Sequence, residues 1–108
     1  LPEGEMHELG LLFYHFLIRK AGYRTYYLGQ NVPHDDLVSV YKVHQPDYML
    51  TSITSNLSIP IETYLKRLAN DFEGTKILAS GYQVQKFNGS KQFEIQTFST
   101  AAELNKYL

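Results

Sequence analysis

At 108 residues the chain is long enough for one domain built around one hydrophobic core, and its 44% apolar content is that of a globular protein rather than a disordered one. Its formal net charge is −1, and the ten Lys and Arg are scattered from Arg19 to Lys106, which lacks the electrostatic footprint of a nucleic-acid surface. Cysteine is absent, which excludes disulfides and thiolate metal sites and fits a reducing, cytoplasmic setting. The apolar run at residues 9–18 is interrupted by His15 and followed by Arg19 and Lys20, too short to cross a bilayer and without the flanks of a signal peptide.

In chain order the pattern alternates helix and strand. Residues 8–21 predict a helix with Leu9, Leu12, Phe13, Phe16 and Leu17 as one wide apolar face toward the sheet. Arg19 and Lys20 suit its negative end, and Gly22 stops it. Leu11, Tyr14 and Ile18 form a second stripe behind that face, either core under a neighbouring element or a contact with another subunit or helical cap. Residues 25–28 predict a short buried strand closed by Gly29. A second helix follows Val32-Pro33, with Asp35 and Asp36 in its positive first turn, and ends near His44 because Pro46 disfavours helix before it.

Residues 48–51 read as the next strand. Pro60 opens a third helix carrying Ile61, Tyr64, Leu65 and Leu68, and Gly74 ends it. Residues 76–79 are a strand, and residues 93–97 another with edge-like alternation. Thr100-x-x-Glu103 predicts a capping box for a last helix to Leu108. Such alternation with short connections predicts an α/β fold: a flavodoxin- or Rossmann-like, doubly wound parallel sheet with helices on both faces, in a single domain over residues 1–108. A fold of this kind opens with a strand, yet only Leu1 and Pro2 precede the loop at Glu5, so the first strand is expected to be truncated and the chain to be a fragment of a longer protein.

In doubly wound sheets ligands bind where the strand-to-helix loops gather, at the carboxyl ends of the strands. Those loops are residues 3–7, 29–34, 52–59 and 80–83. The first carries Glu5-Met6-His7-Glu8-Leu9-Gly10, an acidic residue two before a histidine and a glycine three after it. A carboxylate placed there can hold one ring nitrogen's proton and fix the tautomer, as a metal-binding imidazole needs. The third loop is rich in small hydroxyls (Ser52, Thr54, Ser55), and the fourth pairs Ser80 with Gly81, leaving room for a bulky planar group.

Taken in order, Glu5-x-His7-x-x-Gly10, Leu28-Gly29-x-x-Val32-Pro33, Ser52-x-Thr54 and Ser80-Gly81 resemble the motifs of cobalamin-binding domains, over nearly the whole chain. The family pattern is Asp-x-His-x-x-Gly, then Ser-x-Leu (or Thr), then Gly-Gly. The resemblance implies that His7 is the lower axial ligand of cobalt and Glu5 stands in for the aspartate that holds it. It also implies that the cofactor's dimethylbenzimidazole leaves the metal, with Ser52 and Thr54 in the slot for its nucleotide tail. Gly10 would let that tail pass, Gly81 would line the far wall, and Ser80, counted with the cofactor-binding residues, would crowd the slot. Glu5 is a methylene longer than aspartate, and Ser80 replaces the first glycine of the pair.

The stretch from Gly4 to Leu11 looks most like the effector domains of MerR-like transcriptional regulators, since corrinoid methyl carriers place a lysine where this chain has Leu11. The resemblance implies a non-catalytic, cobalamin-binding sensory domain that forms homo-oligomers and reaches DNA only through an N-terminal helix-turn-helix, with no membrane contact. Two alternatives stay open: a corrinoid carrier module of a methyltransferase or mutase, and a domain kept for oligomerisation without cofactor. His15 reads as a partly buried core or interface residue, His34 as a helix-start residue, and His44 as favourable at a helix C-terminus when charged. No two histidines are spaced for zinc. No Gly-x-Ser-x-Gly elbow, Gly-x-Gly-x-x-Gly or Walker loop is present, which leaves Ser52, Thr54 and Ser55 without the context of a nucleophile.

Overall fold

The computed structural model describes residues 1–86 and 95–108. Its elements are helix α1 (Leu9–Lys20), α2 (His34–His44), strand β1 (Tyr48–Ser52), α3 (Ile61–Asp71), β2 (Lys76–Ser80), α4 (Tyr82–Lys86), β3 (Gln96–Thr97) and α5 (Ala101–Asn105). The strands form a three-stranded sheet in the order β1-β2-β3, parallel throughout. Tyr48 stands opposite Lys76 and Ser52 opposite Ser80 in β1 and β2, while Leu78 and Ala79 stand opposite Gln96 and Thr97.

Strand alternation divides the core into two clusters. Ile53, Ile77 and Ala79, with Met49, pack with Leu37, Val38 and Tyr41 of α2, Tyr64, Leu65 and Leu68 of α3, and Val84 of α4. Leu78, with Tyr48 and Leu50, packs with Phe98, Leu104, and Tyr14 and Ile18 of α1. Tyr14 meets Phe98 edge-on with ring centroids 4.9 Å apart, the arrangement that sets a ring's positive edge against a negative face. The result is a mixed α/β domain with a small, open parallel sheet.

Local signals are honoured at most boundaries. Pro33 and Pro60 sit just ahead of α2 and α3, where a missing N–H is harmless. Gln45, in the left-handed region with φ 44°, closes α2 immediately before Pro46. Thr100 Oγ1 accepts from Glu103 N at 3.1 Å, but the Glu103 carboxylate returns to Ser99 N at 2.9 Å, one residue earlier than a capping box requires. The short helix α4 was not expected from the sequence.

Two expectations are corrected. Residues 25–28 form no strand; Tyr26, Tyr27 and Leu28 are 45%, 36% and 40% exposed, and pairing nearby is limited to one parallel bridge, Pro2 to Val32. A strand exists only through a ladder, and among the described residues this segment has no neighbour to pair with. The second correction is the orientation of α1. Leu11 is buried and Tyr14 and Ile18 pack on the core, whereas Leu9, Leu12, Phe13 and Phe16, expected to face the sheet, are 82%, 44%, 51% and 60% exposed. Both stripes have helical spacing, so sequence alone could not rank them. His15 completes the inner one, its Nε2 2.9 Å from Thr25 Oγ1 and its ring against Tyr27. Of the strand expected at residues 93–97, Phe93 and Glu94 lie outside the described residues, and Gln96–Thr97 is β3 on the sheet's edge.

The orientation of α1 has a measurable consequence. Leu65→Ala, emptying a fully buried site, is expected to cost about 3 kcal/mol of unfolding free energy. Phe16→Ser should stay within about 0.5 kcal/mol of the parent, as surface changes do. Urea midpoints check both, and a Phe16→Ser loss as large as that of Leu65→Ala would contradict the outward face.

Candidate functional site

The loops at residues 3–7, 29–34, 52–59 and 80–83 meet at the carboxyl ends of β1 and β2. Asn31 fastens the second loop to the first: its amide donates to Glu5 O at 3.0 Å and its side-chain oxygen accepts from Gly4 N at 2.8 Å. Gln83 N donates to Ile53 O at 3.0 Å, tying the fourth loop to the third. Gly81 makes that junction possible. Its φ is +103°, and a Cβ there would fall on the Ile53 backbone, 2.6 Å from Ile53 N. The space that its missing side chain leaves is therefore filled by β1's own continuation.

At the centre lies Glu5, fully buried. Its Oε1 accepts from the backbone amides of Thr54 at 2.6 Å and Ser55 at 2.9 Å. Its Oε2 accepts from Thr54 Oγ1 at 3.0 Å and His7 N at 3.1 Å, and lies 3.0 Å from His7 Nδ1. Burial alone would push the carboxyl's pKa up; the backbone amides of Ser55, Thr54 and His7, with the His7 ring, outweigh it and hold the group at about 2. Glu5 is accordingly a carboxylate at neutral pH, able only to accept.

That fixes the imidazole. An acceptor-only carboxylate requires the proton on His7 Nδ1, which leaves Nε2 with its lone pair in the neutral ring. The His7 side chain is 70% exposed, and Nε2 has no hydrogen-bond partner among the described residues. The methylene that distinguishes Glu5 from aspartate does not keep its carboxylate from the ring. Ser55 Oγ also lies 3.0 Å from Nδ1, so the ring is steadied from two sides. In the sequence Ser55 is one of several small hydroxyls in its loop, and no spacing signal marks it as a neighbour of His7.

The other sequence-predicted residues divide. Thr54 belongs to the Glu5 network through both its amide and its hydroxyl. Ser52 and Ser80 are neighbours in register at the strand ends, 6% and 1% exposed, and the Ser80 hydroxyl is buried without a partner among the described residues. A buried hydroxyl of this kind is an unmet hydrogen-bonding demand beside the site. Gly10 lies in the exposed first turn of α1, with open space where a Cβ would be. Beside Ser55, residues 55–61 and Gln83 line a cavity of about 380 Å³.

Histidines 34 and 44 stand apart from this cluster. His34 Nε2 lies 2.7 Å from Asp71 Oδ2, joining α2 to the end of α3, and His44 stacks on Tyr26 with ring centroids 3.9 Å apart. Among the described residues no group of three or more His, Cys, Asp or Glu could hold a metal ion, and no helix is long and apolar enough to cross a membrane. The chain matches no family model, no curated protein and no solved structure.

The Glu5 network sets a pH dependence. Its carboxyl titrates at about 2 in the fold against an ordinary 4.5, so its stabilisation is complete above pH 4.5 and disappears as pH falls through 2. The shift corresponds to roughly 3 kcal/mol for this fully buried group. Glu5→Gln, which places a donor amide among donors, should therefore lower stability markedly at pH 7. The gap to the parent should narrow steadily below pH 4.5. Denaturant titrations across that range check this, and a gap independent of pH would contradict it.

Proposed function

We propose that this chain is a non-catalytic cobalamin-binding sensory domain of the kind that serves MerR-like transcriptional regulators, with His7 as the lower axial ligand of cobalt. The observation that carries the reading is the His7 ring itself. Its Nδ1 is held by a buried carboxylate while Nε2 faces outward at the carboxyl ends of parallel strands. A metal-ligating histidine is ordinarily oriented and made more basic in this way, by an acceptor on its other nitrogen. One protein ligand suits a metal that arrives inside a cofactor and brings its own equatorial donors.

The residues present fit that group on the His7 side. Glu5 fixes the tautomer, Ser55 limits rotation of the ring, and Thr54 anchors Glu5 in turn. The unpartnered Ser80 hydroxyl beside Ser52 offers hydrogen bonding to a polar tail. A bound corrinoid would supply a cobalt centre, and His7 is the residue that would hold it. The chain's own part is to hold a ring nitrogen ready and to tie four loops to the residue that holds it. Binding then acts by differential affinity: occupancy at His7 favours one arrangement of subunits or domains over another, and DNA occupancy changes through a helix-turn-helix module of the same protein. In this reading the sheet belongs to a flavodoxin- or Rossmann-like doubly wound fold, and the protein works in the cytoplasm as a homo-oligomer.

Adding hydroxocobalamin and recording the visible spectrum tests the claim. The parent protein should shift the spectrum as the imidazole replaces the cofactor's own base, and His7→Ala should leave the spectrum of free cofactor. Glu5→Gln should weaken binding about 10- to 100-fold. Identical spectra for the parent and His7→Ala would remove the axial-ligand reading.

A further inference from the structure

Helix α1 turns an apolar face to solvent. Leu9, Phe13 and Phe16 run along it, with Leu12 on one flank, Gly10 and Leu17 on the other, and Met6 continuing it past the helix start. Met6, Leu9, Phe13 and Phe16 are all more than half exposed. Residues 9–18 contain no Lys, Arg, Asp or Glu, so nothing charged interrupts the face. At ordinary side-chain areas its exposed parts amount to roughly 600 Å², the top of the range for the largest apolar patch on a monomer.

Charge lies at the two ends of the helix, with opposite sign. Residues 3–8 carry Glu3, Glu5 and Glu8 and no Lys or Arg, whereas residues 19–24 carry Arg19, Lys20 and Arg24 and no Asp or Glu. Among the described residues neither Arg19 nor Lys20 forms an ion pair. Two such helices laid antiparallel set each basic end against the other copy's acidic end and oppose their dipoles; laid parallel, like charges would meet. A lipid surface would call for basic residues along the flanks of the apolar face, and residues 9–18 have none. The shape is self-complementary as well. Phe13 lies midway between Gly10 and Phe16, and Gly10 has open space where a Cβ would stand. A two-fold axis at Phe13 therefore places Phe16 of each copy over Gly10 of the other, and Leu9 against Leu17.

We propose that the outer face of α1 is a homodimerisation surface, on which a second copy of the chain packs antiparallel about a two-fold axis at Phe13. Such a pair buries roughly 1,200 Å² in all, the small end of specific interfaces, so association is weak and depends on concentration. Each contact occurs twice, which doubles the effect of any change in it. The pairing supplies a surface for the homo-oligomer of the functional reading without resting on that reading, since no cofactor enters it or its test.

Because the chain has no cysteine, single introduced cysteines test the geometry directly. Under mild oxidation Phe13→Cys should cross-link to itself, since a residue on the axis meets its own copy within the disulfide reach of about 7 Å. Leu9→Cys and Leu17→Cys should each stay uncross-linked alone and should join when mixed. Leu9→Cys cross-linking to itself in preference to Leu17→Cys would show a parallel pair and overturn the proposal. Sedimentation between about 10 µM and about 1 mM should show the parent passing from monomer to dimer and no further. Phe16→Ser should weaken that step by about ten-fold or more, while the urea midpoint of the dilute monomer stays where it is. Gly10→Leu adds apolar surface but fills the notch, so it should weaken association too. Stronger association of that variant would show an unspecific sticky patch, and a parent still monomeric at about 1 mM would leave the face to some other partner; either result overturns the proposal.

Discussion

A single buried carboxylate organises the loop end of this domain. Glu5 lies fully out of solvent yet remains ionised, because backbone amides and a hydroxyl of the β1–α3 loop converge on it together with the His7 amide and ring. A charge without those donors would be costly to bury; with them it fixes the chain on both sides of the interaction. The segment before α1 and the loop after β1 are held to one another through this group. His7 inherits its orientation from that arrangement, and its outward nitrogen depends on it.

The sheet supplies the geometry. Parallel strands present their carboxyl ends together, so loops far apart in sequence arrive at one rim. Close approach at that rim is set by Gly81, where any side chain would strike the Ile53 backbone, and by Asn31, which stitches residues 29–34 to residues 4 and 5. Among the described residues β1 pairs only with β2, so that side of the sheet carries no further strand. Polar Gln96 and Thr97 form the β3 edge, as an edge normally tolerates, while β1 presents an uncharged apolar strand to a groove. The outward face of α1, with Leu9, Phe13 and Phe16, adds apolar surface beyond the few side chains a monomer ordinarily leaves exposed.

Much was legible from local chemistry alone. Pro33, Pro60 and Pro46 mark helix boundaries through their fixed φ and missing donor, and the structure starts or stops its helices beside them. The apolar runs at residues 48–51 and 76–79 became β1 and β2, because short continuous apolar segments suit a sheet covered on both faces. The acid-x-histidine spacing placed Glu5 close enough for its side chain to meet the ring two residues on, and Thr100 identified the start of α5.

What sequence left open was decided by partners. The helix α1 is apolar around most of its circumference, so only the position of Phe98 and the sheet determines that Tyr14 and Ile18 turn inward and Phe16 outward. Residues 25–28 have strand-forming side chains but, among the described residues, no adjacent ladder, and backbone pairing is a property of two segments rather than one. Ser55 reaches His7 only because β1 delivers its loop to the same rim, a closeness across 48 positions that no local pattern encodes. Local residue chemistry thus determined which segments could be helix or strand and which side chain could hold a ring. Tertiary structure alone decided which faces were buried and which hydroxyl met that ring, because both depend on surfaces brought together from distant parts of the chain.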